Sequence, residues 1–349
     1  MLHVYPEYYD RFQCLASRCP DSCCTGWEVV VDDETAAFYE SLSTPLGNAL
    51  QKAMTLDEDG DRIIRMENGH CPFWTENHLC GVELELGHEA PCATCRKFPR
   101  LTQDYQVFTE YGLTLACPEA ARLILTQRAP WRLRRSGDPG DPAQADFGWE
   151  TLLELASARE RLLATAWRRD ITSRQALALC LTLAQSFQRD MDGDGPQPMD
   201  INPPRLELCP GDLKPLLRFH RRLEILTPQW KELLDEALAF SPTPAHWAAL
   251  EALPEEDCLR NLISYYLYRY WFQTVADYDC LLKLQLLAVN WAVVRYLCCV
   301  HLARFGTLPM EIRLRLFQLY AKEVEHDDIN RTALEELLPA TAEPLLSLI

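Results

Sequence analysis

The sequence predicts a mainly α protein. A small cysteine-rich, metal-binding α+β domain over residues 1–135 is followed by a linker at 136–146 and an all-α helical domain over 147–349. Three observations carry this. Nine of the 15 cysteines precede residue 118. The stretch Ser136-Gly137-Asp138-Pro139-Gly140-Asp141-Pro142 is turn-rich and has no large apolar residue, which marks a boundary. Beyond it, apolar residues recur at helical spacing.

In the cysteine-rich part, residues 27–31, 62–66 and 106–109 have the composition and alternation of short strands, and 34–43 and 92–98 are helical or turn-like. Such small elements need a staple, and bound metal would supply one. After the linker, helical patterns run through 149–188, 213–226, 230–240, 259–271, 280–305 and 312–325. The helix at 259–271 follows Pro254-Glu255-Glu256-Asp257, where a proline and acids favour a start. Proline-rich breaks fall at 190–204 and 241–244. An aromatic stripe, Tyr265, Tyr266, Tyr268, Tyr270, Trp271 and Phe272, covers more than one helix face, so part of it serves core packing and part meets another domain or a ligand.

The net charge of −17 argues against nucleic-acid binding, which needs a cationic face to release counterions. Residues 1–125 hold 20 acidic and 9 basic side chains, a balance of −11. That acidity serves solubility, or attracts a lysine-rich protein partner. The basic stretch at 128–135 reads as a solvated segment. The most apolar run, 281–300, is interrupted by Lys283, Gln285, Asn290 and Arg295 and suits a buried helix, so no membrane insertion is expected. The first residues lack a basic and an apolar leader region, which points to a cytoplasmic protein whose thiols stay reduced.

On that footing the early cysteines read as metal ligands rather than disulfides. They are Cys14, Cys19, Cys23, Cys24, Cys71, Cys80, Cys92, Cys95 and Cys117. Nine thiols exceed one tetrahedral site, so either a single cluster uses four of them or there are two sites. Iron-sulfur and zinc both accept four thiolates, and spacing does not separate them. Cys180, Cys209, Cys258, Cys280, Cys298 and Cys299 are scattered through apolar patterns and read as small core residues.

The order Cys14, Cys19, Cys23-Cys24, Cys71-Pro72-Phe73, Cys80 and Cys95-Arg96-Lys97-Phe98-Pro99-Arg100 resembles the broad family of zinc- or iron-chelating cysteine-cluster proteins. The segments from Met1 to Tyr9, Cys23-Cys24-Thr25-Gly26-Trp27, Cys117-Pro118-Glu119-Ala120-Ala121-Arg122 and the aromatic helix at 261–272 are similar to the bacterial flagellin lysine-N-methylases. The resemblance implies methyl transfer from S-adenosylmethionine to flagellin lysines, with an iron-sulfur cluster, 4Fe-4S in type, in the cysteine-rich domain. Zinc is the alternative metal. No glycine-rich nucleotide loop follows a strand, so a doubly wound nucleotide fold is not expected.

Methyl transfer to lysine needs a deprotonated amine aligned with the methyl group. An aromatic channel or a carboxylate base would provide this. Tyr8, Trp27 and Glu119 are the catalytic candidates, with Tyr5, Tyr9 and Trp74 beside them. Packing, or a helix first turn for Glu119, is the plainer role of each. Arg96 and Arg100 would stabilise thiolates or lie on the surface, and Gly26 would let backbone approach the metal. The competing function is a zinc- or iron-binding structural or protein-interaction module without catalysis.

Overall fold

The computed structural model describes residues 1–57, 59–141, 145–195, 202–254 and 257–349. Helices dominate. The chain divides into two compact units, the larger comprising Met1–Arg11, Thr102–Ala116 and Ala120–Ile349, the smaller Phe12–Leu101 and Cys117–Glu119. This differs from a boundary at 136–146. That segment joins parts of the larger unit: the Gly140 N–H donates to Val107 O at 2.7 Å, and Gln106 and Asp146 exchange two hydrogen bonds of 2.7 Å. Residues 142–144 of the expected linker, 196–201 of the second break and 255–256 of the expected helix start lie outside the described residues.

The larger unit is also not all-α. It carries a mixed sheet in the order Arg100–Asp104, Phe108–Leu113, Leu2–Pro6, Leu133–Ser136. Leu2–Pro6 runs parallel to Phe108–Leu113, with Val4 opposite Glu110, and antiparallel to Leu133–Ser136, with His3 opposite Ser136. The expected strand at 106–109 starts only at Phe108, because Gln106 takes a positive φ of 63° in the preceding turn. The basic stretch supplies the edge strand, and Arg134 pairs with Asp10. Charged side chains on an edge discourage pairing with other chains. Gly137 follows with φ 79°, where a Cβ would also collide with the Met1 carbonyl.

The helical spacing over 149–188 resolves into Trp149–Ala166 and Ser173–Met191. The second restarts at a capping box in which Thr172 and Gln175 satisfy each other's backbone N–H. Residues 213–226 yield only Lys214–His220. The longest helix, Cys280–Phe305, is capped by Asp279, which accepts from the Leu282 N–H at 2.9 Å, and stops at Gly306 with φ 71°. By length and composition it could cross a membrane. Most of its residues are buried within the unit, where it packs against Ser173–Met191, Cys258–Arg269 and Met310–Tyr320. Two of the polar residues that interrupt it find partners there: Gln285 donates to Pro339 O at 2.7 Å, and Arg295 meets Glu251 at 2.7 Å.

The aromatic stripe is core of this unit, and all six side chains are buried. The Tyr268 hydroxyl donates to Val4 O at 3.1 Å and Tyr111 O at 3.0 Å, tying Cys258–Arg269 to two adjacent strands. Phe272 meets Tyr105 and Phe108 at ring distances of 5.5 and 5.6 Å, and Trp271 donates to Leu155 O at 2.8 Å. The expected contact with another domain is thus a contact between helix and sheet inside one unit.

His220 is fully buried, with Nδ1 at 2.8 Å from Leu216 O and Nε2 at 3.4 Å from the Tyr320 hydroxyl. Burial pushes its pKa down to about 4. A histidine held neutral in the fold contributes stability that is complete above its unfolded pKa near 6.5 and is lost as pH falls toward 4, here about 3 kcal/mol. We expect the unfolding free energy, followed by urea titration between pH 7 and 4, to fall less steeply in His220→Gln than in the parent. Equal slopes would remove His220 as the source.

The smaller unit has an antiparallel sheet in the order Val29–Val30, Arg62–Ile64, Met54–Leu56, the third strand being one that sequence reading missed. Its core gathers Val29, Val31, Tyr39, Leu50, Ile64, Phe73 and Val82 with Cys92. Asp32 links two segments. It caps Asp33–Ser41 through the Thr35 N–H at 3.0 Å and accepts the Ala93 N–H at 2.8 Å. The Ala93 bond, more than the Thr35 bonds, holds its carboxyl down at about 2.

Candidate metal centre and buried carboxylate network

All nine early cysteines belong to the smaller unit, and none is in a disulfide. Cys71, Cys80 and Cys92 pack against its core, whereas Cys14 is exposed. The thiols act on one another. Cys23 is held far above the usual thiol range by donating to Cys24, by burial, and by the nearby charges of Cys24, Cys14 and Cys117. Cys95 donates to Cys92, is raised in the same way, and also feels Cys23 and Cys24. As the acceptor in that pair, Cys92 is drawn down to about 7. Burial pushes Cys71 up to about 12, with Cys24, Cys80 and Cys92 adding to it. Cys80 is raised by burial and then by Cys24.

Cys24 is therefore near members of both sequence groups, the early Cys14 and Cys23 side and the later Cys71, Cys80 and Cys95 side. Cys19 donates instead to Asp21 O at 3.2 Å. The donor set fits a thiophilic metal in kind: several thiols whose charges act on one another, a repulsion that a cation would relieve. Among the described residues, no three His, Cys, Asp or Glu side chains already stand at coordination spacing. The fit is thus one of donor chemistry rather than of a finished polyhedron.

The loops around the thiols are braced. The Trp27 indole N–H donates to Cys23 O at 3.2 Å, and its ring lies 5.6 Å from Phe98. Gly26 has φ 97° and donates to Gly69 O at 3.2 Å, a conformation that favours glycine. Arg96 is spent on backbone, reaching Glu89 O at 2.8 Å and Pro91 O at 2.7 Å, and Arg100 lies over the Phe12 ring at 5.1 Å. Neither leads the charges acting on the cysteines. Trp74 sits edge-on to His70 and His78, each 4.8 Å away.

The other candidates fall elsewhere. Tyr8 is buried edge-on against Trp131 at 4.9 Å, and burial keeps its phenol protonated. That geometry gives it a packing role. Tyr5 stacks on Tyr111 at 4.5 Å with Tyr9 beside both, a half-buried aromatic group in the larger unit. Glu119 is buried in the first turn of Pro118–Leu125.

Sequence reading missed a second cluster of chemistry. Helix Met310–Tyr320 runs into a π-helical turn, Ala321–Glu325. Such turns recur at functional sites. Glu325, 5% exposed, accepts from Arg269 at 2.6 Å, from the Tyr270 hydroxyl at 2.9 Å and from the Tyr265 hydroxyl. Its second oxygen has no partner among the described residues. The cavity bounded by Tyr266, Tyr270, Tyr320, Glu325 and Arg331 measures about 10 Å³, room for about one water. The only signal in the sequence was an acid ending an otherwise helical pattern opposite a tyrosine-rich helix.

Residues 174–348 match the family described as FliB lysine N-methylase C-terminal domain. The chain belongs to the FliB lysine N-methylase family. A lysine-N-methylase of Salmonella typhimurium is 34% identical over 126 residues, which are 34% of this chain and 31% of that protein. Another, from Salmonella choleraesuis, is 33% identical over 126 residues, with the same coverage of 34% and 31%. The flagellar biosynthetic protein FliU of Salmonella muenchen is 31% identical over 132 residues, 34% of this chain and 75% of that protein. The match therefore spans about a third of the length of the two lysine-N-methylases. No solved structure matches the chain. Arg269, Tyr270 and Glu325 lie inside the FliB C-terminal domain, and the nine thiols lie outside it.

Proposed function

We propose that the chain is a protein-lysine N-methyltransferase that moves methyl groups from S-adenosylmethionine to lysines of flagellin in the cytoplasm, with an iron-sulfur cluster in its thiol-rich unit. The observation that carries this reading is the FliB lysine N-methylase domain over residues 174–348. The flagellar name of one relative supports the substrate. The mutually interacting thiols, one with a pKa near 7, support the cluster.

Cys23, Cys24, Cys71, Cys80, Cys92 and Cys95 are the residues from which its ligands would be drawn. A cluster with one iron free of cysteine would supply a Lewis-acidic point for the donor's carboxylate and amine, and one with four thiolates would be a structural staple. The chain's own residues would align the amine and keep it neutral by excluding water. The packing of Cys71, Cys80 and Cys92 against the core favours one second reading, a metal-stapled interaction module without catalysis.

Anaerobically purified, iron-loaded full chain, incubated with S-adenosylmethionine and flagellin of its own organism, is expected to add mass in single-methyl steps to flagellin lysines, read by mass spectrometry. A colourless zinc protein that leaves flagellin unmodified would favour the second reading.

A further inference from the structure

Cys280–Phe305 and the segments packed beside it line a half-open cavity of about 200 Å³. It is slightly smaller than the roughly 300–1,000 Å³ common for drug-sized ligands. The cavity lies apart from the Glu325 cluster, sharing no lining residue with it. Its charged lining consists of Arg174, Arg295, Arg313 and Glu251, three guanidinium cations against one carboxylate. That excess is notable in a chain of net charge −17.

One oxygen of Glu251 serves two of these cations, accepting from Arg295 at 2.7 Å and Arg174 at 3.1 Å. Arg295 is 3% exposed. One of its terminal nitrogens, Nη2, makes the Glu251 bond and a 3.2 Å bond to Leu208 O, while the other, Nη1, is buried without a partner among the described residues. The indole N–H of Trp291, another lining residue, is likewise unpartnered. A buried donor left unmet costs about 1–3 kcal/mol, more when charged, and both of these donors belong to residues of this cavity's wall. Trp291 and Phe317 add two nearly parallel rings, 16° apart in plane with centroids at 6.3 Å.

We infer that this cavity binds a small organic anion, a carboxylate or phosphate attached to a flat apolar body, with Arg295 and Arg313 at the anion and Trp291 and Phe317 against the body. The sign of the lining favours such a ligand over S-adenosylmethionine, whose sulfonium and ammonium outnumber its single carboxylate. The inference does not depend on the methylation reading.

Calorimetric titration of the full chain with two matched pairs tests it: adenosine 5′-monophosphate against adenosine for the phosphate source, and indole-3-acetate against indole-3-ethanol for the carboxylate source. At least one anion is expected to bind about tenfold or more tightly than its neutral partner, a difference of about 1.4 kcal/mol. Arg295→Met should lower that affinity by at least the same factor. Because Arg295 is buried and paired, that variant could lose its fold, so Arg313→Ala, at a half-buried position with no ion pair among the described residues, is measured beside it and should also weaken the anion. Equal binding of neutral and charged partners, no heat from either anion at millimolar concentration, unchanged affinity in folded Arg313→Ala, or displacement of the anion by S-adenosylmethionine at lower concentration would each overturn the inference.

Discussion

Replacing Arg159 by methionine is expected to destabilise the larger unit by about 3–5 kcal/mol, the range for removing one partner of a buried ion pair. Arg159, on helix Trp149–Ala166, meets Glu110, on strand Phe108–Leu113, through two parallel bonds of 2.8 and 3.0 Å. The side chains are 11% and 1% exposed. The guanidinium also lies 3.8 Å from the Phe272 ring centroid. Without it, Glu110 remains a carboxylate in an apolar seam with nothing to balance its charge.

The effect should be strongly non-additive. Glu110→Gln in the Arg159→Met background removes the stranded charge and should restore part of the loss, because much of the single-variant cost is the orphaned carboxylate and not the worth of the pair. Urea unfolding of both single variants and the double variant, followed by circular dichroism at pH 7, supplies the cycle. A cost below about 1 kcal/mol for Arg159→Met, the size of an exposed pair, would show that the seam admits water.

This seam also shows where sequence reading reaches its limit. Cys280–Phe305 was legible because 26 residues of unbroken helical pattern end in an acidic cap and a glycine. The sheet was not. Leu2–Pro6 is five residues long, and its partners lie more than a hundred positions away, so no local pattern announces the pairing. The basic stretch at 128–135 reads as solvated because most of its charges are exposed, yet its backbone closes the sheet. That pairing moves the N-terminus into the helical unit and makes a boundary at 136–146 misleading. The aromatic stripe was visible as an oversized apolar surface, but which face meets the strands and which meets Glu325 depends on a π-helical turn that periodicity does not encode. For the thiols, residue type and spacing marked the site. The position of Cys24 near both sequence groups is a property of the folded loops.

The position of Cys24 leads to the second large expected effect. Cys24→Ser, Cys23→Ser and Cys95→Ser should each lower bound iron and methyl-transfer activity together. Cys24 is the neighbour felt by Cys23, Cys71, Cys80 and Cys95 alike. Cys95 is hydrogen-bonded to Cys92, the thiol already drawn toward ionisation. Serine keeps the volume but is a poor ligand for iron, and because metal binding contributes to the folding free energy of such sites, soluble yield should fall with iron content. Cys180→Ser is the control. That thiol is fully buried in helix Ser173–Met191 of the larger unit, 3.6 Å from Leu162 O, and is not one of the early cysteines. Iron and sulfide per chain, together with methyl groups added to flagellin, would be measured on anaerobic preparations of all four variants. Iron content unchanged in the three early variants would sink the ligand assignment, whereas iron lost with activity retained would leave the metal a staple and move catalysis to the FliB domain alone.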